Sequence, residues 1–252
     1  MGVLTFKSFL SHLERELREL TRPEGPPRRV DVTDYLDEQL TSIKREISEL
    51  LEHAEEQNEK QTLQYLEDYL IDLMSLLYSA GSPHEVWRRW AALVSFGQGL
   101  LNKHYSAAIY AALAGEWTAI SLMPTTTTED ADLQTEVIWH LLGKSPSVPE
   151  VEDQDDPEAR AWLRLARSIP QADHKQTEAA LKAISRFWME ELGDTWDHYE
   201  VDAYPAFHAP ACAAAAIARH HGYTPMKLPP ASYRFLEPGL AAGDPRPLIP
   251  SE

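Results

Sequence analysis

The sequence predicts an all-α protein, and three observations carry that prediction. Apolar residues recur at intervals of three and four in at least three separate segments, which is the period of one buried helical face. No alternation of apolar and polar residues lasts more than a few positions, so no substantial sheet is expected. Stretches such as TRPEGPPRR and SAGSP, rich in Pro and Gly, separate the periodic segments. The expected architecture is a series of antiparallel helical hairpins stacked into a bundle-like or solenoid-like array. An irregular, Pro-rich C-terminal tail follows it. Two helical halves, 1–125 and 126–252, are expected to pack as one globular unit.

In the first segment, Phe6, Leu10, Leu13, Leu17 and Leu20 step by four and three along one helix face. A second helix is expected from Thr33 or Asp34, with Leu36, Leu40, Ile43, Ile47, Leu50 and Ala54 on its apolar side. A third carries Leu63, Leu66, Leu70, Leu73 and Leu77. It ends where Gly81 suits a C-terminal cap and Pro83 can open the next helix. The segments PHEVWRRWAALVSFGQGLLNK and YSAAIYAALAGEWTAISLM are apolar over more of their circumference and are expected to be central. Further helices are expected near 133–142, 157–168, 175–192 and 208–221. From Gly222 onward the Pro and Gly content predicts irregular chain.

Charge narrows the function classes. The 252 residues carry 40 acids and 23 Lys or Arg, a net charge of −17. That balance argues against a nucleic-acid or anionic-membrane partner, both of which need a basic face. It suits a basic protein partner. The single cysteine, Cys212, allows neither an intrachain disulfide nor a Cys-based zinc site. The start MGVLTFKSFLSHLEREL has no basic region followed by an apolar run, so no signal peptide is expected and a cytoplasmic location follows. No run of 18 apolar residues predicts a membrane span.

The negative charge is concentrated. Residues 34–73 hold 12 acids and 3 bases, and residues 126–160 hold 10 acids and 2 bases, so these two windows account for the whole net charge. The stretch VEDQDDPEAR, 151–160, is the densest part. Glu129, Asp130, Asp132, Glu150, Glu152, Asp153, Asp155 and Asp156 are therefore the candidate partner-binding residues. Such a loop is also an ordinary solubilising feature, and both readings stand.

Enzymatic patterns are weak. HEVWR at 84–88 lacks the second His that a zinc-binding helix needs, because position 88 is Arg. Glu46, Glu49, Glu52, Glu67, Asp68 and Asp72 could face a divalent metal in an all-α hydrolase. However, Glu49 lies about 200° from Ile47 around the helix, at ~100° per residue, and Glu46 is placed nearly as far round. A solvated face is the expectation. Asp194, Asp197, His198 and Glu200 are suitable donors without a strict ligand spacing. His220 and His221 are expected to favour a helix C-terminus, and Cys212 to be a small buried side chain. No catalytic residue, metal site or cofactor is expected.

Two stretches resemble a known family. DYLIDLMSLLYSAGSPHEVWRRW, 68–90, is similar to the YSAG helix end of PoNi-type bacterial immunity proteins. FWMEELGDTWDHYEVDAYPAFHAPACAAAAIARHHGY, 187–223, resembles their C-terminal half, where a Trp-bearing helix precedes an Ala-rich one. The Imm49-type immunity family has a similar Ala-rich ending. The resemblance implies a cytoplasmic, all-helical, non-enzymatic immunity protein. Its partner would be a basic DNase toxin of interbacterial competition, of the kind delivered by type VI secretion. It would act by covering the toxin's active site or DNA-binding surface. Two other functions fit the residues alone: an all-α metal-dependent hydrolase, and a helical scaffold for another basic partner.

Overall fold

The computed structural model describes residues 5–21, 23, 36–54, 58–125, 131–149, 156–196 and 207–243. Among them there are eleven helices and no strand. They divide into two compact units, one ending at Lys103 and the other beginning at His104. No described helix is long and apolar enough to cross a membrane.

The first unit contains α1 (Phe6–Glu19), α2 (Leu36–Glu52), α3 (Glu59–Ser79) and α4 (His84–Leu100). Each helix packs on the next, and α4 returns to pack on α1, closing a four-helix arrangement. Thr5 starts α1 through a capping box with Ser8, which satisfies amide groups that have no partner in the first turn. The buried face of α1 is Phe9, Leu13, Leu17 and Leu20. The expected Phe6 and Leu10 are only half-buried. Phe9 wins because its ring fits against Gly97 of α4 and meets Phe96 edge-on at 5.4 Å. The same face buries Glu16, which pairs with Arg89 at 3.2 Å and Arg15 at 3.4 Å.

The seam of α3 is Leu63, Leu66, Leu70, Leu73 and Leu77, all buried as their spacing predicts. Each is worth about 1.5–3 kcal/mol relative to an exposed position. The helix ends in a Schellman turn: Ser82 N–H donates to Leu77 O at 3.0 Å, and Gly81 has φ +85°. Pro83 then stands at the N-cap of α4, whose Trp87 and Trp90 are fully buried.

The second unit contains α5 (His104–Ala114), α6 (Trp117–Leu122), α7 (Leu133–Leu141), α8 (Pro157–Ser168), α9 (His174–Trp196), α10 (Ala209–His220) and α11 (Pro230–Gly243). The segment read as one helix from Tyr105 to Met123 is two, because Gly115 adopts φ +75° and ends α5. Helix α10 is central, packing on α5, α7, α9 and α11. Its Ala211 to Ala218 are all buried, and their small side chains let α11 approach closely. At the nearest point a Cβ added to Gly239 would lie 1.7 Å from Cys212 O.

The irregular tail expected from Gly222 is overturned for residues 230–243, which form α11. Pro230 is a helix-starting residue there, because the first-turn amide it lacks would have no intrahelical acceptor. Phe235, Leu236, Leu240 and Ala241 then bury one face. That burial outweighs the break expected from the internal Pro238.

Candidate functional site

Two of the eight carboxylates chosen from sequence fall among the described residues, and both begin helices. The Asp132 side chain accepts the Thr135 amide at 2.8 Å and caps α7. The Asp156 side chain accepts the Glu158 amide at 2.9 Å and caps α8, with Pro157 behind it. Both are exposed, and each is worth about 1 kcal/mol to its helix. Glu129, Asp130, Glu150, Glu152, Asp153 and Asp155 lie outside the described residues, as do Asp197, His198 and Glu200.

The helical carboxylates separate into two groups. Glu67 is bound within its own unit: Lys103 Nζ donates to it at 2.6 and 2.8 Å, and Gln98 Nε2 donates at 2.6 Å. It fastens α3 to the end of α4. Glu49 is exposed and pairs with Arg45 at 3.8 Å. Glu46 departs from the expected outward phase. It is half-buried, accepts the Ser42 hydroxyl at 3.0 Å, and hydrogen-bonds the Tyr69 hydroxyl of α3. The reason is visible on the helix wheel: Glu46 lies only about 40–60° from Leu50 and Ile43, although far from Ile47. It therefore borders the α2–α3 seam.

Asp68 and Asp72 form the second group. They stand four residues apart on the outer side of α3, in one exposed stripe with Gln61 and Tyr65. Tyr65 is 50% exposed. Gln61 Nε2 donates to its hydroxyl at 3.3 Å. No described cation pairs with Asp68 or Asp72. The local field is negative enough to move neighbouring groups. The Tyr69 phenol is raised, first by its hydrogen bond to Glu46, then by burial, then by the charges of Glu46, Asp68 and Asp72. The Asp72 carboxyl is also raised, first by partial desolvation and then by the charge of Asp68.

This stripe combines acidic and aromatic side chains on one exposed helix face. Its carboxylates pair with no cation among the described residues, and a large amphipathic side chain stands beside them on the same helix. Sequence reasoning placed Asp68 and Asp72 in an acidic window but gave no weight to Tyr65. The signal was present: Tyr65 falls between the seam positions Leu63 and Leu66, on neither the three nor the four step.

The remaining candidates serve the fold. Cys212 is fully buried and its thiol donates to Phe235 O at 3.3 Å, so burial pushes the thiol up and away from reactivity. His208 caps α10 by accepting the Ala211 amide on Nδ1 at 3.2 Å, and it stacks on Trp188 at 3.7 Å. His220 stacks on Trp117 at 4.1 Å. His221 is held below the ordinary histidine range, by partial desolvation and then by His220, which opposes the charged role expected at this helix end. Among the described residues no three His, Cys, Asp or Glu side chains gather in a metal-binding group.

No family model, curated protein or solved structure matches this chain.

Proposed function

We propose that this protein is an inhibitor that works by binding: an immunity protein that covers a basic surface of a DNase toxin. One observation carries the reading, namely the exposed stripe Tyr65, Asp68 and Asp72 on α3, negative and without a described counter-cation. A nuclease presents Lys and Arg to phosphates. A carboxylate stripe competes for those cations, and complementary charge speeds the encounter. Tyr65 would supply apolar contact at the centre, where buried aromatic side chains contribute most to affinity. The sequence resemblance to immunity proteins and the net charge of −17 support the same reading. The acidic segment around 150–156 adds charge of the same sign to the chain.

Neutralisation in cells tests this. The chain is co-expressed with each candidate nuclease toxin found among the genes adjoining its own, and survival is scored. Tyr65→Ala with Asp68→Lys and Asp72→Lys should abolish protection. Reversal of Glu152, Asp153 and Asp155 to Lys should weaken it in proportion to the loop's share of the interface. Full protection by the α3 variant would remove α3 from the interface. Failure of the unaltered protein to protect would overturn the immunity reading.

A further inference from the structure

In the second unit α8 and α9 each carry an exposed basic stripe that the net charge conceals. Arg160, Arg164 and Arg167 lie at intervals of four and three on α8, and all three are exposed. Lys175, Lys182 and Arg186 lie at intervals of seven and four on α9 and are exposed as well. None of the six is paired with a described carboxylate. The acids of the same helices are mostly used elsewhere. Glu158 accepts from Gln134 and Trp162, Asp173 caps α9, and Glu178 accepts from the Tyr223 hydroxyl and the Met226 amide. Helices α8 and α9 pack together across a turn of five residues, Ile169 to Asp173, so they run antiparallel.

We infer that this basic face binds the α3 stripe of a second copy of the same chain. The registers agree. On α3 the order Tyr65, Asp68, Asp72 has steps of three and four. On α8, read in reverse, Arg167, Arg164, Arg160 has the same steps. An antiparallel approach of the two helices sets Tyr65 against Arg167, Asp68 against Arg164 and Asp72 against Arg160. Each four-residue step advances both helices by about 6 Å, so the pairs stay in phase. The first pairing is a cation–π contact and the other two are ion pairs. Helix α9 fits the same approach. Lys175 and Arg167 lie equally far from residue 171 in the turn, and so do Lys182 and Arg160. Lys175 and Lys182 therefore flank the levels of Tyr65 and Asp72. Each copy supplies one acidic stripe and one basic face.

Whole-molecule repulsion between two chains of net charge −17 opposes this contact, which gives it a distinctive salt response. At about 0.15 M salt the screening length is about 8 Å, so distant charges are silent and facing charges still act. At about 0.01 M it is about 30 Å, and repulsion between whole molecules returns. At about 1 M the facing charges are screened too. Association should therefore be strongest at intermediate ionic strength.

Sedimentation of the purified chain provides the test, since it needs no toxin. The contact uses the same α3 stripe as the proposed toxin interface, so a second copy and a toxin would exclude one another there. Self-association is read without reference to protection. Two variants are compared. One carries Arg160→Glu, Arg164→Glu and Arg167→Glu, and the other carries Asp68→Arg and Asp72→Arg. Each should lose self-association, its dissociation constant rising by about tenfold or more. Mixed together they should associate again, because each now complements the other at both surfaces. Circular dichroism should show both folded, as every altered side chain is exposed. A wild-type chain that stays monomeric at about 0.15 M salt and about 100 µM would overturn the inference. So would self-association that neither variant weakens, or two variants that stay apart when mixed. Binding of a DNA oligonucleotide to the basic face of a monomeric chain would assign that face to phosphate instead, and would equally overturn it.

Discussion

His208 gives the fold a measurable acid sensitivity. It caps α10, stacks on Trp188 and is largely buried, and burial lowers its pKa to about 4 against the weaker upward pull of Asp132. An unfolded histidine titrates near 6.5. Above that value both states hold the neutral ring, and the contribution of His208 is fully present. As pH falls from about 6.5 toward 4, the unfolded chain takes up the proton first, and stability is lost. The shift of about 2.5 units corresponds to about 3 kcal/mol in full, of which about 2 kcal/mol is lost between pH 7 and pH 5. His208→Asn keeps a side-chain oxygen that can cap the helix and removes the titration. Urea unfolding of both proteins at the two pH values isolates the effect, because the other ionisable groups contribute to both and cancel in the difference. The wild type should lose about 2 kcal/mol more than the variant between pH 7 and pH 5. Equal losses, or an imidazole that titrates near 6.5 in the folded protein by NMR, would refute the reasoning.

Three further outcomes are expected from the packing. Gly239→Ala should cost about 3 kcal/mol or more and sharply lower the melting temperature, because the new methyl meets a backbone oxygen that cannot rotate away. Ala172→Gly should raise stability in urea titrations by about 0.5–1 kcal/mol, since Ala172 sits at φ +53°, a conformation that glycine adopts without steric cost. Lys144 is buried and donates to Ser121 O at 3.1 Å and Met123 O at 2.7 Å, so Lys144→Met should cost about 2 kcal/mol in the same assay by leaving both carbonyls without their donor.

Helix α8 shows what the sequence makes legible. Asp156 and Pro157 mark its start, the buried Trp162 and Leu165 mark its face, and its bounds are those expected. Helix α1 was legible at Leu13, Leu17 and Leu20, which are buried as expected, but not in its first turns. Phe6 and Phe9 both lie on an apolar side, and only the packing against Gly97 and Phe96 decides between them. Helix α11 was hidden by its prolines, because Pro230 at a helix start and Pro229 just outside it look like chain breakers when seen without the burial that follows. The candidate site was legible only as charge. Carboxylate density pointed to the segments before α7 and α8, yet Asp132 and Asp156 are occupied as caps. The phase of Glu46 was judged against Ile47 alone, which concealed its place beside Leu50 and its bond to Tyr69. Recognising Tyr65, Asp68 and Asp72 as one exposed stripe required knowing which side of α3 the neighbouring helices cover.

The account rests on the α3 stripe competing with DNA for a nuclease's cations. The direct measurement is cleavage of a DNA duplex by a purified DNase toxin of the proposed class, taken from the genes adjoining this one, titrated with the purified chain. The account predicts that cleavage falls to background as the chain saturates the toxin, and that Asp68→Lys with Asp72→Lys weakens inhibition by about a hundredfold, at about 1–2 kcal/mol for each reversed contact. Cleavage that continues unchanged in the presence of excess chain would contradict it.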